Sequence, residues 1–264
     1  MSLPISQLHK GPLLPPRDLR SLDWKLAGNV PFITTVILCY IYVVKFVGPR
    51  FMKGREPFKC LRPLIMIHNA AMILVNVYFL VAIGSRTHFG GGTSFFCQGL
   101  DRSGSVNSFE VADLLWWYLM VRIIDFLDTV FFVLRKKDSH VSVLHVGHHV
   151  LVVFTGWFGI TYGPDGQALL MVHVNTFVHV VMYTYYFLTL LGPRFQRYLW
   201  WKRYLTQLQI AQFIFMLMHA PIPLFVDCGY PLAHVLVIMS QVAFYFFMFL
   251  RFYVQSYRKR LKSA

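Results

Sequence analysis

The amino-acid sequence predicts an all-α membrane protein with seven transmembrane helices. The chain of 264 residues is 56% hydrophobic and 14% charged, whereas soluble domains carry about 25% charged residues on their surfaces. Its mean hydropathy of +0.53 excludes a disordered chain, because disorder requires low hydrophobicity. The sequence lacks the period-two alternation of transmembrane β-strands, and helices satisfy their own backbone hydrogen bonds in lipid, so we expect helices.

Seven apolar windows of about 20 residues are long enough to cross a hydrocarbon core of about 30 Å. We expect these spans at 30–48, 63–83, 111–134, 141–160, 168–191, 204–224 and 231–254. No repeat, low-complexity tract or linker interrupts the series, so residues 1–264 are interpreted as one membrane domain. The segment before the first span lacks the apolar core of a cleavable signal peptide, so we expect the first span to direct membrane insertion.

Basic residues predict the orientation of the chain. Lys and Arg number 25 against 11 acidic residues, a formal net charge of +14. In a membrane protein such an excess marks cytosolic loops and binding of anionic headgroups or phosphates, so no nucleic-acid partner is expected. The basic residues cluster after the first, third, fifth and seventh spans, and the intervening loops are poorer in them. We therefore expect a lumenal N terminus and a cytosolic C terminus, although the N-terminal segment itself carries Lys10, Arg17, Arg20 and Lys25.

This topology divides the four cysteines. Cys39 lies within the first span and Cys60 in a cytosolic loop, so both are interpreted as free thiols. Cys97 and Cys228 both fall in predicted lumenal loops, where an oxidising compartment permits a disulfide. A Cys97–Cys228 disulfide and two unpaired loop thiols are both compatible with this topology.

Polar residues in the third span share one face of the helix. At about 100° per residue they occupy an arc of about 120°. A charge inside a span is costly and usually faces a cavity, but an ion pair that only fixes helix packing explains the same pattern. The residues are Arg122, Asp125, Asp128 and Thr129.

A histidine box lies in the fourth span, where three imidazoles cover about 100° of one face. A single histidine in a membrane more often makes a packing hydrogen bond, but three on one face favour a reactive site. The next two spans each carry a further polar face. The three sets are His145, His148 and His149 on the fourth span, Asn175, His179, Tyr183 and Tyr186 on the fifth, and Thr206, Gln209 and Gln212 on the sixth.

Depth in the membrane connects these faces. Counted from the predicted cytosolic ends, His148, Asp128 and Gln209 lie about 8 to 10 Å deep at 1.5 Å per residue. His179 and Arg122 lie at about 18 Å by the same count. One polar chamber in the cytosolic half would hold them all, and the spans beyond it are almost wholly apolar. This arrangement predicts a ligand with a polyanionic head and a hydrophobic tail.

The order of these motifs resembles the very-long-chain fatty acid elongases of the endoplasmic reticulum, over spans three to six. Their K-x-x-E-x-x-D-T element is present with Arg122 in place of Lys and Asp125 in place of Glu, and Gly147 stands where an aromatic residue is common. Their other motifs are matched in order by His145, His148 and His149, by Asn175, Phe177, Val178, His179, Met182, Tyr183, Tyr185 and Tyr186, and by Thr206, Gln209 and Gln212.

The resemblance implies an acyltransferase, a very-long-chain 3-oxoacyl-CoA synthase. It would condense a long-chain acyl-CoA with malonyl-CoA and release CO2 and CoA. No cofactor is expected, and a single histidine box without a carboxylate-rich partner box argues against a bound metal. Spans two to seven would form a six-helix barrel around an acyl tunnel, with span one outside. The family match and the basic tail Arg260-Leu-Lys262-Ser-Ala264, which resembles a retrieval signal, predict the endoplasmic reticulum membrane. Candidate partners are membrane lipid, other enzymes of the elongation cycle and a second copy of the chain.

The family pattern also implies roles for individual residues. His148 would accept the acyl group as an acyl-imidazole, since no cysteine lies in the predicted chamber. His145 and His149 would orient it or move protons, and Asp128 would fix a histidine tautomer. His179 and Asn175 would polarise the malonyl thioester carbonyl or hold the enolate. The substrate-binding candidates are Asn175, Arg122, Asp125, Tyr183, Thr206, Gln209, Gln212, Lys136, Lys137, Lys202 and Arg203.

Two other functions are compatible with a polar chamber in a membrane protein. A di-iron desaturase or hydroxylase needs several histidine boxes that converge on two irons, but this chain has one box and otherwise scattered histidines. A receptor or carrier binds without chemistry, and a carrier would show inverted repeats with broken helices, which spans three to five lack. Both are less favoured than a condensing enzyme.

Overall fold

The computed structural model describes residues 14–258, which form helices joined by turns and loops, without a strand in that range. A π-helical turn, Val43–Val47, joins the first two helices into one rod, and a second π-helical turn, Val254–Arg258, follows the last. The α-helices are α1 Val30–Tyr42, α2 Gly48–Met52, α3 Arg62–Arg86, α4 Val106–Ile124, α5 Phe126–Leu134, α6 Val143–Tyr162, α7 Ala168–Leu190, α8 Pro193–Gln196, α9 Lys202–His219 and α10 Leu232–Tyr253.

Six helical segments in the described range are long and apolar enough to cross a membrane. Each coincides with a predicted span to within a few residues at either end, so the chain is a multi-pass membrane protein. The basic tail Arg260–Ala264 lies outside the described residues. The segments are Val30–Met52, Lys59–Arg86, Val143–Tyr162, Ala168–Leu190, Lys202–Leu224 and Leu232–Tyr257.

The predicted third span, 111–134, is divided into α4 and α5 at Asp125. The backbone N–H of Asp128 donates to the carbonyl of Asp125 at 3.1 Å, a three-residue turn that is tighter than an α-helical one. The side chain of Asp125 pairs with Arg122 in the preceding turn. A continuous third span, and with it the count of seven spans and the barrel, stays a prediction.

Contacts group the chain into two compact units, while the single domain predicted for residues 1–264 stays a prediction. We call residues Pro16–Ile65 and Ala112–Pro164 the histidine-box unit, because they include α6. We call residues 14–15, 66–111 and 165–258 the disulfide unit, because they include both Cys97 and Cys228.

In the histidine-box unit, the segment before α1 is bound to the C-terminal end of α6. The N–H of Asp18 donates to the carbonyl of Thr161 at 2.9 Å, and the indole N–H of Trp157 donates to the carbonyl of Leu26 at 3.0 Å. Helices α4 and α6 pack closely at Gly156, where a Cβ would lie 2.8 Å from Leu119 Cδ1. These contacts hold the segment before α1 and helix α4 against the C-terminal half of α6.

In the disulfide unit, α9 packs against α10. The buried ring of Phe213 lies 5.6 Å from that of Tyr245, measured between ring centroids. Nearer the start of α9, Arg203 Nε and Gln207 Nε2 each donate to the Tyr253 hydroxyl at 2.8 Å. The side chain of Gln207 is exposed, whereas those of Thr206 and Gln212 are buried.

Candidate active site

The histidine box occupies the first two turns of α6. Ser142 caps the helix, because its hydroxyl accepts the backbone N–H of His145 at 3.2 Å. The four-residue spacing brings the rings of His145 and His149 to 4.5 Å between centroids, and the rings of His148 and His149 lie 5.6 Å apart. His149 is buried, and the other two imidazoles are half-buried. The structure therefore brings the three predicted histidines together on one face.

A hydroxyl pair holds the first histidine of the box. Thr129 Oγ1 lies 2.9 Å from His145 Nε2 and 2.8 Å from the hydroxyl oxygen of Tyr40. Asp128, to which the family pattern gives the tautomer-fixing role, is half-buried one residue earlier in α5. The role of Asp128 stays a proposal, and the hydroxyl that contacts His145 comes from Thr129.

Tyr40 is a site residue that the sequence analysis missed. It lies on α1, in the span that the family resemblance places outside the barrel, and its ring stacks on Phe126 at 3.9 Å between centroids. The imidazole of His149 meets both rings edge-on, 6.2 Å from Tyr40 and 6.0 Å from Phe126. A tyrosine in an apolar run is typical of membrane helices, so the sequence carried no signal that marked Tyr40.

Arg122, near the end of α4, and Asp125, between α4 and α5, form a buried ion pair. The distance between Arg122 Nη1 and Asp125 Oδ2 is 3.2 Å, and the side chains are 2% and 3% exposed. The Arg122 guanidinium also lies over the ring of Tyr118, 4.7 Å from its centroid. The pair matches the packing alternative of the sequence analysis, and a substrate-binding role for either residue stays a proposal.

The remaining polar candidates lie in the disulfide unit, on α7 and α9. Asn175 Nδ2 donates to Gln212 Oε1 at 3.4 Å, which brings two predicted residues into contact. His179 and Tyr183 are buried, with ring centroids 6.0 Å apart. Each candidate thus has a neighbour within its own unit. Thr206 is buried, and its hydroxyl donates to the carbonyl of Lys202 at 3.4 Å. Gln209 is half-buried, and its Nε2 lies 3.7 Å from Met182 Sδ.

The basic candidates are exposed. Lys136 follows α5 with a φ of 51°, in the left-handed region, so the chain turns sharply there. Lys137 and Lys202 are also exposed. Arg203 is exposed as well, and the Tyr253 hydroxyl accepts from its guanidinium.

Beyond the predicted site, a second polar cluster surrounds the disulfide that joins Cys97 to Cys228, whose Cα atoms are 5.9 Å apart. Gln167 accepts the backbone N–H of Gln98 at 2.9 Å and donates to the carbonyl of His219 at 3.0 Å. His219 Nε2 in turn lies 3.0 Å from the carbonyl oxygen of Phe95. These bonds fasten the loop around Cys97 to the ends of α7 and α9.

His88 lies in the same part of the disulfide unit, just after α3. Its Nδ1 lies 3.2 Å from the hydroxyl of Thr87, and its ring is 6.4 Å from that of His173. Burial lowers the pKa of His88, and the neighbouring His173 and His219 lower this pKa further. His88 is therefore uncharged in the folded protein at neutral pH.

Possible metal ligands are not clustered in the part of the chain that the structure describes. Among residues 14–258, no three side chains of His, Cys, Asp or Glu are arranged to hold a metal ion. Within the box, the ring of His149 lies beside those of His145 and His148. Metal-independent chemistry stays a prediction.

Comparison of the sequence with known proteins relates nearly the whole chain to one family. Residues 25–264 match the GNS1/SUR4 family, designated ELO. A very long chain fatty acid elongase of Aedes aegypti is 41% identical over 251 residues, which cover 94% of this chain and 69% of the relative. Very long chain fatty acid elongase 4 of Mus musculus is 40% identical over 248 residues, covering 93% of this chain and 78% of the relative. The Homo sapiens protein of the same name is 39% identical over 247 residues, with 93% and 77% covered.

Proposed function

The chain belongs to the GNS1/SUR4 family of very long chain fatty acid elongases, and we propose that it is the condensing enzyme of a fatty acid elongation cycle. It joins a long-chain acyl-CoA to malonyl-CoA and releases CO2 and CoA, which leaves a 3-oxoacyl-CoA two carbons longer. The observation that carries the proposal is the contact of His145, His148 and His149 within two turns of α6. Three neighbouring imidazoles provide a nucleophile together with groups that orient it.

In the first step, an imidazole nitrogen of His148 attacks the thioester carbonyl of the acyl-CoA. A carbon–nitrogen bond forms, the carbon–sulfur bond breaks, and the CoA thiolate leaves and takes up a proton. An imidazole can act as a nucleophile toward an acyl group. The two cysteines of the histidine-box unit, Cys39 and Cys60, are exposed free thiols, which supports a histidine in this role. The adjacent ring of His149 orients His148.

In the second step, malonyl-CoA loses CO2 and its enolate carbon attacks the acyl carbonyl. A carbon–carbon bond forms, the carbon–nitrogen bond breaks, and His148 is regenerated. The enolate oxygen carries negative charge, so donors aimed at it lower the barrier. In this proposal His179 and Asn175 supply those donors.

The basic residues near the helix ends bind the phosphates of CoA. Lys136, Lys137 and Lys202 are exposed, and an ammonium group attracts phosphate oxygens without needing a fixed geometry. Because both substrates carry CoA, these residues belong on the cytosolic side, with a lumenal N terminus and a cytosolic C terminus. The proposed location is the endoplasmic reticulum membrane, where lipid, other elongation enzymes and a second copy of the chain are candidate partners.

A direct assay tests this function. Purified full-length protein is incubated with malonyl-CoA and with saturated and polyunsaturated acyl-CoAs of increasing chain length, and products are identified by mass spectrometry. We expect a 3-oxoacyl-CoA two carbons longer than the acyl-CoA supplied, and a matched release of CO2. Folded protein that forms no such product from any acyl-CoA would contradict the proposal.

A further inference from the structure

We propose that Tyr40 is a positioning residue for the proposed condensation, because it acts through Thr129 to hold His145 in one tautomer. This inference rests on the proposed function. Its basis is the unbroken chain of contacts from Tyr40 Oη to Thr129 Oγ1 at 2.8 Å and from Thr129 Oγ1 to His145 Nε2 at 2.9 Å. Tyr40 is 6% exposed and Thr129 is 0% exposed, so bulk water does not compete for these hydroxyls.

The burial of Tyr40 decides which group donates. A phenol hydroxyl and a threonine hydroxyl each carry one proton. Within residues 14–258, Thr129 is the one hydrogen-bond partner of the Tyr40 hydroxyl, and the Tyr40 ring lies against Phe126. If Thr129 donated to Tyr40, the phenol proton would be buried without an acceptor, which is costly. Tyr40 therefore donates to Thr129. Within residues 14–258, the other hydrogen-bond partner of the buried Thr129 hydroxyl is His145 Nε2, so the single proton of Thr129 is directed to that nitrogen.

This direction fixes the tautomer of His145. A neutral imidazole whose Nε2 accepts a hydrogen bond carries its proton on Nδ1. The ring is further held between Phe132, at 5.3 Å between centroids, and His149, at 4.5 Å. Nδ1 of His145 has no hydrogen-bond partner within residues 14–258. It is thus a fixed N–H donor beside the proposed nucleophile, available to the thioester carbonyl oxygen or to the departing sulfur.

Tyr40→Phe removes the phenol hydroxyl and keeps the ring that stacks on Phe126. The Thr129 hydroxyl then no longer accepts a hydrogen bond from residue 40, so its proton is no longer directed to His145 Nε2. Both tautomers of His145 therefore become accessible. We expect kcat to fall by about threefold to tenfold, the scale of one hydrogen bond. KM for both substrates should not change, and the melting temperature should fall by no more than the loss of one hydrogen bond explains. Tyr42→Phe is the matched control, since Tyr42 lies on the same helix and is 56% exposed.

Substitutions of Thr129 test the link between Tyr40 and His145. Thr129→Val keeps the shape and removes the hydroxyl, and should lower kcat at least as much as Tyr40→Phe. Thr129→Ser should restore most of the rate. Because Tyr40 and Thr129 act as one unit, adding Tyr40→Phe to Thr129→Val should cause no further loss. A wild-type kcat in Tyr40→Phe, or losses that multiply in the double variant, would overturn the inference.

A spectroscopic measurement tests the tautomer without relying on activity. Nitrogen NMR of protein labelled at histidine distinguishes a protonated from an unprotonated ring nitrogen, and His145→Ala identifies the His145 signals. We expect Nδ1–H in the wild-type protein and in Tyr42→Phe, and a mixture of tautomers in Tyr40→Phe. An Nε2–H tautomer in the wild-type protein would refute the role of Tyr40, whereas wild-type protein that does not condense would refute the proposed function.

Discussion

The histidine box and the loops around the disulfide both bury polar groups, but in opposite ways. At the box, His145 bonds through one ring nitrogen to Thr129, and its other ring nitrogen has no hydrogen-bond partner within residues 14–258. At the disulfide, Gln167 uses both its oxygen and its nitrogen on the surrounding chain, and Cys97 and Cys228 are joined covalently. In the proposed mechanism the free ring nitrogen of His145 serves a ligand, whereas the polar groups around the disulfide are bonded to the surrounding chain. Substitutions should therefore alter rate in the first region and stability in the second.

The largest effect is expected from His148→Ala. Loss of the proposed covalent nucleophile should lower kcat more than about a thousandfold, and the melting temperature should change little because the imidazole is half-buried. His140→Ala is the matched control, because His140 is exposed in the turn Asp138–His140 before α6. Condensation is measured by product formation and folding by size-exclusion chromatography. If His148→Ala kept most of its rate, the acyl-imidazole assignment would be wrong.

Asp125→Asn should act on stability instead, although Asp125 belongs to the histidine-box unit. It leaves the Arg122 charge buried without its counter-ion, which typically costs about 3 to 5 kcal/mol. The double variant Arg122→Lys, Asp125→Glu keeps both charges and restores the residues of the family pattern, so we expect it to fold and condense. Thermal unfolding in detergent compares the variants with the wild-type protein. Equal stability of Asp125→Asn and the wild-type protein would show that the ion pair does not stabilise the fold.

Cys97→Ser should lower stability without lowering the rate of the folded enzyme. The disulfide closes a sequence separation of 131 residues, and removal of a native disulfide typically costs about 2 to 5 kcal/mol. Cys39→Ser is the control, since Cys39 is an exposed free thiol. Mass spectrometry of a non-reducing digest should find the cross-linked peptides. Both thiols reacting with an alkylating agent in the native protein would contradict the pairing.

Protonation of His88 should give the smallest effect. The folded protein resists this protonation because burial lowers the pKa of His88, while the unfolded chain takes up a proton below about pH 6.5. Stability should therefore be flat above about pH 7 and fall as the pH drops below the unfolded pKa. Thermal unfolding across this range should show a weaker pH dependence for His88→Gln than for wild-type protein and His140→Gln. An unchanged dependence in His88→Gln would exclude His88 as its source.

Sequence reasoning located the helices because each span is a long apolar run. In lipid, a single such segment satisfies its own backbone hydrogen bonds as a helix. It did not locate the break at Asp125, because a charged residue on a shared polar face is compatible with one continuous helix. The tight turn depends on local backbone bonding around Asp125 and Asp128, which periodicity does not report. The ion pair between Asp125 and Arg122 agrees with the alternative in which this pair only fixes helix packing.

Within the site, sequence reasoning brought out the histidines because their spacing repeats on one helix face. It missed Tyr40, whose partner Thr129 lies 89 residues away in the chain. It also missed Gln167, which bonds to loop backbone and to His219 across 52 residues. Such contacts depend on how helices pack against one another, and a single sequence carries no pattern for them.

Incubation of the full-length protein with acyl-CoA alone tests the central claim most directly. In a double-displacement mechanism, the acyl group is bound covalently to the protein before malonyl-CoA binds. We predict release of about one equivalent of CoA per chain, as expected for a covalent intermediate, and a gain in intact mass equal to the acyl group. Peptide mapping should place that group on His148. No CoA release until malonyl-CoA is added, with intersecting double-reciprocal plots, would contradict the account and make His148 a general base in a ternary complex.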